Sequence, residues 1–295
     1  MIICPSCRTI FPEEHSSFAC NCGFQAIHDE GVSLFCPDYE FSFRDHTRTS
    51  LQNLTRHANH HFWMISRRKI VVDRIMRNLD LGDSFLEVGA GAADVSECLQ
   101  NLGLKVTVSD IQTENLKQIA KKHFESVVQF DLYQPIFRDH FDSVGAFCVI
   151  EHLEEDLMAA KHLVDIVKPG GLIFVMVPAH DWLWNNRDRL ESHKRRYSKR
   201  QLSQLFESAG ASVLHIDYLF FSILPLLAAR SLIDIFRKRY IFTDSDILAS
   251  MDIHPALNLF LTYLMKLEMR IFKKRSPPIG GSLLLTAQKI KKTTV

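Results

Sequence analysis

The sequence predicts a Rossmann-like α/β fold, with a parallel sheet and helices on both faces. An apolar strand, a glycine turn and a helix start follow one another in FLEVGAGAADVSECL, residues 85–99. Further apolar strands end at acidic residues in KVTVSD, 105–110, and at 126–131, and others begin at 141 and within KPGGLIFVMVP, 168–178. Strands separated by helical intervals favour a parallel sheet that binds ligands at the carboxyl ends of its strands.

The turn after the first of these strands has the features of a cofactor site. Gly89 and Gly91 let the backbone turn tightly and approach a ligand, and Glu87 stands just before them. A dinucleotide fingerprint would need a third glycine where Asp94 stands, so NAD is disfavoured. Asp110 follows Gly91 by 19 residues, about where a ribose-binding carboxylate is expected.

The spacing E-x-G-x-G-x-A, Glu87 to Ala93, resembles the first motif of class I methyltransferases that use S-adenosylmethionine. The resemblance implies a seven-stranded sheet of order 3-2-1-4-5-7-6, in which residues 280–290 return antiparallel between the fifth strand and the sixth, 211–220. It also implies a set of cofactor contacts, with Glu87 facing the cationic end of S-adenosylmethionine. The set comprises Glu87, Gly89, Ala90, Gly91, Asp110, Ile111, Asp131 and Leu132.

A second resemblance precedes the first strand. The run HHFWMISRR, 60–68, is similar to the HFW-x-x-x-R entry helix of a bacterial methyltransferase group of the type 11/12 kind, which includes lipid and sugar pathway enzymes. In that group the arginine, here Arg67, reaches over the cofactor, where a guanidinium can pair with the methionine carboxylate. An exposed arginine on a solvated helix face is the alternative.

Methyl transfer requires little catalytic assistance from the protein, because the sulfonium of S-adenosylmethionine already activates the methyl group. The protein must align donor and acceptor and, for a hydroxyl, accept a proton. His152, which follows the fourth strand in VIEHLEE, is the candidate base. The alternative is that Glu151 and His152 only hold the loop or line the cofactor pocket.

A basic run before a predicted helix is the second candidate for the acceptor site. Ser198 and Gln201 form a capping-box pattern, so a helix is expected to start there. The preceding residues resemble the H-x-R-R-Y element of the same group, and paired guanidinium groups suit a phosphate or carboxylate. The candidate substrate-binding residues are His193, Arg195, Arg196 and Tyr197. Solvated surface charge is the alternative.

Most of the seven cysteines lie within the first 36 residues. Two close pairs predict a structural zinc ion on Cys4, Cys7, Cys20 and Cys22, in a zinc-ribbon-like module over 1–40. Because the second pair is C-x-C, Cys36 or a histidine remains an alternative ligand. The start MIICPSC has no basic and then apolar leader, which favours a reducing cytoplasm where disulfides are not expected.

The remaining boundaries are a linker over 41–60, a core over 61–220, an apolar helical insertion over 221–276 and the last strand within 277–295. Arg230 and Asp234 interrupt the insertion, so a transmembrane helix is not expected. The insertion is either a helical lid on the core or a surface that dips into a membrane, through residues 221–240, to collect a lipid-linked substrate. The basic runs 236–240 and 272–275 suit anionic lipid, at the inner membrane face.

The net charge of +1 gives no support to general nucleic-acid binding. The sequence therefore predicts transfer of a methyl group from S-adenosylmethionine to a small or lipid-linked, anionic acceptor. An RNA base methyltransferase is the alternative, because a cysteine ribbon followed by EGVSLF, 30–35, resembles the start of bacterial large-subunit ribosomal RNA guanine methyltransferases. A catalytically silent adaptor that binds the cofactor is a second alternative.

Overall fold

The computed structural model describes residues 1–11, 18–39, 56–236, 252–273 and 275–291. In these ranges nine strands form one sheet of order β1-β2-β5-β4-β3-β6-β7-β9-β8. The strands are β1 (Ile27–Asp29), β2 (Val32–Leu34), β3 (Ser84–Val88), β4 (Lys105–Asp110), β5 (Ser126–Gln129), β6 (Phe141–Phe147), β7 (Val167–Pro178), β8 (Ala211–Leu219) and β9 (Ser282–Lys289).

The helices lie mainly between the strands, as in other doubly wound folds. They are α1 (Phe62–Met76), α2 (Asp94–Asn101), α3 (Thr113–Ile119), α4 (Asp156–Ile166), α5 (Asn186–Leu190), α6 (Lys199–Ser208), α7 (Leu224–Phe236) and α8 (Pro255–Ile271). Short 3₁₀ turns cover Ala120–Lys122, Ile150–His152 and Asp181–Leu183.

The sheet contains the predicted order 3-2-1-4-5-7-6, read as β5-β4-β3-β6-β7-β9-β8. Strand β9 is antiparallel to both β7 and β8, whereas β3 to β7 pair in parallel. The predicted fold class is therefore confirmed. The sequence did not predict the two further strands, β1 and β2, which extend the edge beside β5.

Strand β7 shows why helices cover both faces of the sheet. Its residues Ile173, Val175 and Val177 belong to one buried cluster, whereas Phe174 and Met176 belong to the other. Successive side chains of a strand point to opposite faces, so an unbroken apolar run needs a core on each side. The helices between strands supply these two cores.

The cysteine-rich segment packs onto the sheet edge. Strand β2 pairs in parallel with β5, and the Phe35 N–H donates to the Gln129 carbonyl at 2.9 Å. The Gln129 side-chain amide donates to the carbonyls of Cys36 and Ile111, at 2.9 and 3.2 Å. The segment thus shares hydrogen bonds with the strand ends that carry the predicted adenosine contacts.

The predicted insertion contributes α7 and α8. Helix α8 packs on α1, where the Asn258 side-chain oxygen accepts a hydrogen bond from the Phe62 N–H at 2.9 Å. Residues 41–55 of the predicted linker and 237–240 of the basic run lie outside the described residues. Within the described ranges, no helix is both long enough and apolar enough to cross a membrane.

Candidate active site

The glycine turn closes tightly against the loop that follows β6. Gly89 and Gly91 have φ angles of +67° and +56°, in the region that favours glycine. A Cβ atom added at Gly89 would lie 2.6 Å from a Val149 methyl group. Ala93 also has a positive φ, +53°, at the start of α2, so the alanine that ends the E-x-G-x-G-x-A run keeps a glycine-like conformation. The turn leaves its backbone open to a ligand.

Asp110 joins this turn to the end of β4. One carboxylate oxygen accepts from the Gly91 N–H and the other from the Gln112 N–H, both at 3.0 Å. Asp131 lies one strand further, where it accepts from the Tyr133 N–H at 2.9 Å. The predicted ribose and adenine carboxylates therefore stand at the same carboxyl edge of the sheet, with their strands β4 and β5 paired in parallel.

Glu87 lies behind the turn. Its carboxylate is buried and accepts hydrogen bonds from the N–H and the hydroxyl of Ser96 on α2. Burial raises the pKa of Glu87 to about 7. The carboxylate does not border the cavity described below, and its bonds to Ser96 hold α2 against β3. Its contact with the cofactor stays a prediction.

Arg67 reaches the turn from α1. Its side chain is 11% exposed, so it does not lie on a solvated helix face. The guanidinium pairs with Asp94 at 2.6 Å and lies 5.4 Å from the centre of the Trp63 ring. Arg67 borders the cavity together with Gly89, Ala90 and Gly91.

A cavity of about 450 Å³ extends from this turn towards the loops after β6 and β7. Such a volume suits a cofactor or small-molecule site. Glu151 and His152 border it from the 3₁₀ turn after β6, and His193 and Arg196 border it from the loop before α6. Residues of α7 and α8 form the apolar side of the cavity: Leu226, Leu227 and Leu261.

A buried ionic cluster organises the acceptor end of the cavity. Asp188 accepts from Nε and Nη2 of Arg196, at 2.8 and 2.9 Å, and from Nδ1 of His193 at 2.9 Å. Glu191 accepts from Arg187 Nε at 2.6 Å and lies 3.3 Å from Nε2 of His193. Burial opposes protonation of His193, but hydrogen bonds to Asp188 and Glu191 raise its pKa to about 10.

Sequence reasoning missed Arg187, Asp188 and Glu191, which line the cavity. Their charges alternate within NNRDRLESHKRR, and such a run is typical of a solvated loop. A capping box at Asn185 and Asp188 is the local signal that marks the start of α5. A matching box at Ser198 and Gln201 confirms the predicted start of α6.

Two of the four predicted substrate-binding residues lie away from the cavity. Arg195 pairs with Asp156 of α4 at 2.8 Å, and the Tyr197 hydroxyl donates to the same carboxylate at 3.0 Å. Tyr197 is buried in the core between α4 and α6. Only His193 and Arg196 of the predicted set border the cavity, because both bond to Asp188, whereas Arg195 and Tyr197 bond to Asp156.

The four predicted thiols meet in space. Cys4 and Cys22 lie 3.6 Å apart at sulfur, and Cys7 and Cys20 lie 3.5 Å apart. Four thiolates about 2.3 Å from one zinc ion would stand about 3.8 Å from one another, so the spacing fits this ion. The hydrogen bond with Thr9 lowers the pKa of Cys7 to about 6. Cys36 is outside this cluster.

Comparison with known proteins agrees with this geometry. The model of the family described as "Methyltransferase domain" matches residues 57–216, more than half of the chain. The ubiquinone biosynthesis O-methyltransferase of Xanthomonas campestris pv. campestris is 31% identical over 101 residues, which cover 32% of this chain and 42% of that protein. The chain thus spans less than half the length of this curated relative.

Two solved structures share the fold. Phosphoethanolamine N-methyltransferase 2 of Haemonchus contortus, in complex with S-adenosyl-L-methionine, has a TM-score of 0.55 at 16% identity and covers 83% of this chain and 58% of its own. Magnesium protoporphyrin IX methyltransferase of Synechocystis PCC 6803 has a TM-score of 0.51 at 12% identity, over 82% and 94% of the two chains. By its matched domain, its strand order and its glycine turn, the chain belongs to the methyltransferase-domain family and has the class I fold of enzymes that use S-adenosylmethionine.

Proposed function

We propose that this chain transfers a methyl group from S-adenosylmethionine to a hydroxyl of a small or lipid-linked, anionic acceptor. The observation that carries the proposal is the cavity that joins the glycine turn to the cluster of Glu151, His152 and His193, beneath the apolar residues of α7 and α8. Donor and acceptor could lie in line in such a cavity, which is the main requirement of this reaction.

The cofactor half is supported by the turn and the two acidic strand ends. Asp110 would accept the ribose hydroxyls, Asp131, Ile111 and Leu132 would border the adenine, and the backbone from Gly89 to Gly91 would contact the methionine portion. The guanidinium of Arg67 would reach the methionine carboxylate if it exchanged or shared its partner Asp94.

The acceptor half is supported by the residues after β6 and before α6. A hydroxyl must lose its proton when it accepts a methyl group, and we place that step at the end of the cavity where His152 lies. Arg230 also borders this cavity and forms no ion pair with any residue that the structure describes. Its guanidinium would suit an anionic group on the acceptor. The curated relative is named for an O-methyltransferase of ubiquinone biosynthesis, which supports a hydroxyl and a lipid-linked molecule.

The outer surfaces of α7 and α8 support contact with a membrane. Large apolar side chains are exposed on both helices, among them Leu259 at 72% and Tyr263 at 67%. Basic residues follow on the last turns of α8 and just beyond it, at Lys266, Arg270, Lys273 and Arg275. An apolar face beside basic residues favours an anionic lipid surface. Flotation with phosphatidylglycerol vesicles should carry the chain, and Leu259→Asp should reduce that binding.

The cysteine-rich segment would hold one structural zinc ion on Cys4, Cys7, Cys20 and Cys22. Four thiolates leave no open coordination position, so this ion would stabilise the segment without acting on a substrate. The apolar residues of the segment join the core on one face of the main sheet, among them Phe11 and Phe35, which meet edge to face.

The experiment that tests the proposed function uses methyl-labelled S-adenosylmethionine and a cell extract, followed by separation of organic, small aqueous, RNA and protein fractions. An Asp110→Asn variant, in which cofactor binding is expected to be weakened, provides the comparison. Label in the organic or small aqueous fraction supports the proposal. Label in RNA would replace it with the RNA base methyltransferase, and binding of S-adenosylmethionine without any labelled product would favour a silent adaptor.

A further inference from the structure

Three side chains with metal-binding atoms meet at the acceptor end of the cavity. One donor atom each of Glu151, His152 and His193 lies within 4.8 Å of the other two. The two imidazole rings are 4.8 Å apart and nearly perpendicular, at 78°. Two imidazoles and one carboxylate form a donor set that first-row divalent metals favour, and a set of three leaves coordination positions for other molecules.

The Glu151 carboxylate provides an independent observation. Its side chain is 0% exposed, and neither carboxylate oxygen has a hydrogen-bond partner among the residues described. A buried carboxylate without hydrogen bonds is unfavourable unless a proton or a cation compensates for it. Yet Glu151 borders the cavity, and no arginine or lysine is paired with it in the described ranges. A cation bound at this point would compensate for the charge of Glu151.

His193 is oriented as a metal ligand would be. Its Nδ1–H donates to Asp188, which is itself fixed by two bonds from Arg196 and by the Asn185 N–H at 2.9 Å. A carboxylate that holds one imidazole nitrogen directs the other nitrogen towards a metal. That other nitrogen, Nε2, has Glu191 as its partner at 3.3 Å, so a metal ion would take the place of the Nε2 proton and would also have this carboxylate within reach.

We infer that Glu151, His152 and His193 bind one divalent transition-metal ion at the acceptor end of the cavity, with Glu191 as a further ligand. The inference rests on the proposed function and deepens it, because the cation would bind the acceptor oxygen. A bound cation lowers the pKa of a hydroxyl, so the proton leaves to solvent water before transfer. The oxygen then forms its bond to the methyl carbon while the sulfur–methyl bond breaks, which leaves S-adenosylhomocysteine. His152 is a metal ligand in this scheme and not the base.

Mn²⁺ is the probe, since thiolates bind this hard ion poorly and the four-cysteine cluster will not compete for it. The chain is first treated with a chelator and then titrated with Mn²⁺, and the free ion is measured by its electron paramagnetic resonance signal. We expect about one bound ion per chain, with couplings from imidazole nitrogens in the spin-echo spectrum. A chain that binds no Mn²⁺ at concentrations up to about 1 mM, a weak affinity by any standard, would overturn the inference.

The variants separate ligands from neighbours. Glu151→Gln and His193→Ala should each weaken Mn²⁺ binding more than tenfold, and Asp188→Asn should weaken it about 10- to 100-fold through its effect on His193. Glu154→Gln, three residues away and exposed, is the matched control and should leave the affinity unchanged. Equal Mn²⁺ affinity for wild type and Glu151→Gln would contradict the assignment.

Binding of S-adenosylmethionine is measured on the same samples to report folding. The same measurement allows the metal site and the proposed function to be tested separately. If the chain binds S-adenosylmethionine and transfers methyl groups without Mn²⁺ bound, the metal site is refuted and the proposed function is supported. If the chain binds Mn²⁺ through Glu151 but methylates nothing, the metal site is supported and the proposed function is refuted.

Discussion

Asp110→Asn is the sharpest test of the cofactor half of the site. The carboxylate accepts two backbone N–H groups, from Gly91 and Gln112, both at 3.0 Å. An asparagine keeps one accepting oxygen and loses the charge, so one of these bonds is lost and any ribose contact becomes neutral. A hydrogen bond to a charged group contributes about 1.5–3 kcal/mol. Since about 1.4 kcal/mol is tenfold in affinity, we expect S-adenosylmethionine to bind roughly 10- to 150-fold more weakly.

Calorimetric titration with S-adenosylhomocysteine and its 2′-deoxy analogue assigns this loss to the ribose. The wild-type chain should bind the deoxy analogue more weakly than S-adenosylhomocysteine, whereas the Asp110→Asn variant should bind the two ligands with almost equal affinity. Asp142→Asn is the matched control, because that carboxylate also accepts a backbone N–H, from Ser84 at 2.9 Å, but at the opposite edge of the sheet. The control should lose stability without losing affinity. The reasoning fails if Asp110→Asn binds S-adenosylhomocysteine within about threefold of wild type, less than half of one tenfold step.

Three further outcomes are expected. Gly89→Ala should lower the free energy of unfolding by about 2 kcal/mol or more, because a left-handed conformation costs about 1–2 kcal/mol and the added Cβ lies 2.6 Å from Val149. Gly82→Ala is the control in thermal unfolding, because Gly82 has a φ of +88° but open space around it, so this variant measures the cost of the backbone conformation alone. Burial raises the pKa of Glu87 from 4.5 to about 7. Between these two pH values the folded chain holds a proton that the unfolded chain releases, so the free energy of unfolding falls as the pH rises from 4.5 to about 7. Glu87→Gln should flatten the fall by up to about 1.4 kcal/mol per pH unit in urea unfolding, and an unchanged slope would contradict the assignment. Cys4→Ser should remove about one zinc ion per chain by elemental analysis, and equal zinc content would exclude the thiolate site.

The parts of the fold that the sequence predicted depend on local patterns. Strand β9 has glycines and an apolar run, the resemblance to class I methyltransferases implied its place in the sheet, and the sheet pairs it there, between β7 and β8. The start of α6 follows from Ser198 and Gln201, whose reciprocal hydrogen bonds involve residues only three positions apart. Such features are set by neighbouring residues, so one sequence is enough to find them.

The pairing of β2 with β5 could not be found in this way. Ser33 meets Val128 and Leu34 meets Gln129 across almost a hundred residues of intervening chain. Nothing in the short run VSL distinguishes an edge strand of the main sheet from a strand of a separate module. The pairing is supported by hydrogen bonds between residues far apart in the sequence, among them those of the Gln129 amide.

Three charged residues of the cavity were not predicted, for a different reason. Arg187, Asp188 and Glu191 have the composition of a solvated loop, and charged residues are rarely buried unless they are paired. Here each has a partner on the same short segment, so Asp188 can be 1% exposed between Arg196 and His193. The sequence contained the partners, but their pairing depends on the turn between α5 and α6.

The boundaries of the family match suggest where acceptor specificity resides. The match covers 57–216 and so includes the glycine turn, Glu151, His152 and His193. Three apolar residues that line the cavity, Ile223, Leu227 and Leu261, lie beyond it, on or next to α7 and α8. The matched region would therefore supply the donor site and the reacting end, whereas these three residues would contribute to the shape of the proposed acceptor site from outside that match. Substitutions at Leu227 and Leu261 are accordingly expected to change which acceptor is methylated while the affinity for S-adenosylmethionine stays constant. Competition between acceptors at fixed cofactor concentration measures that change.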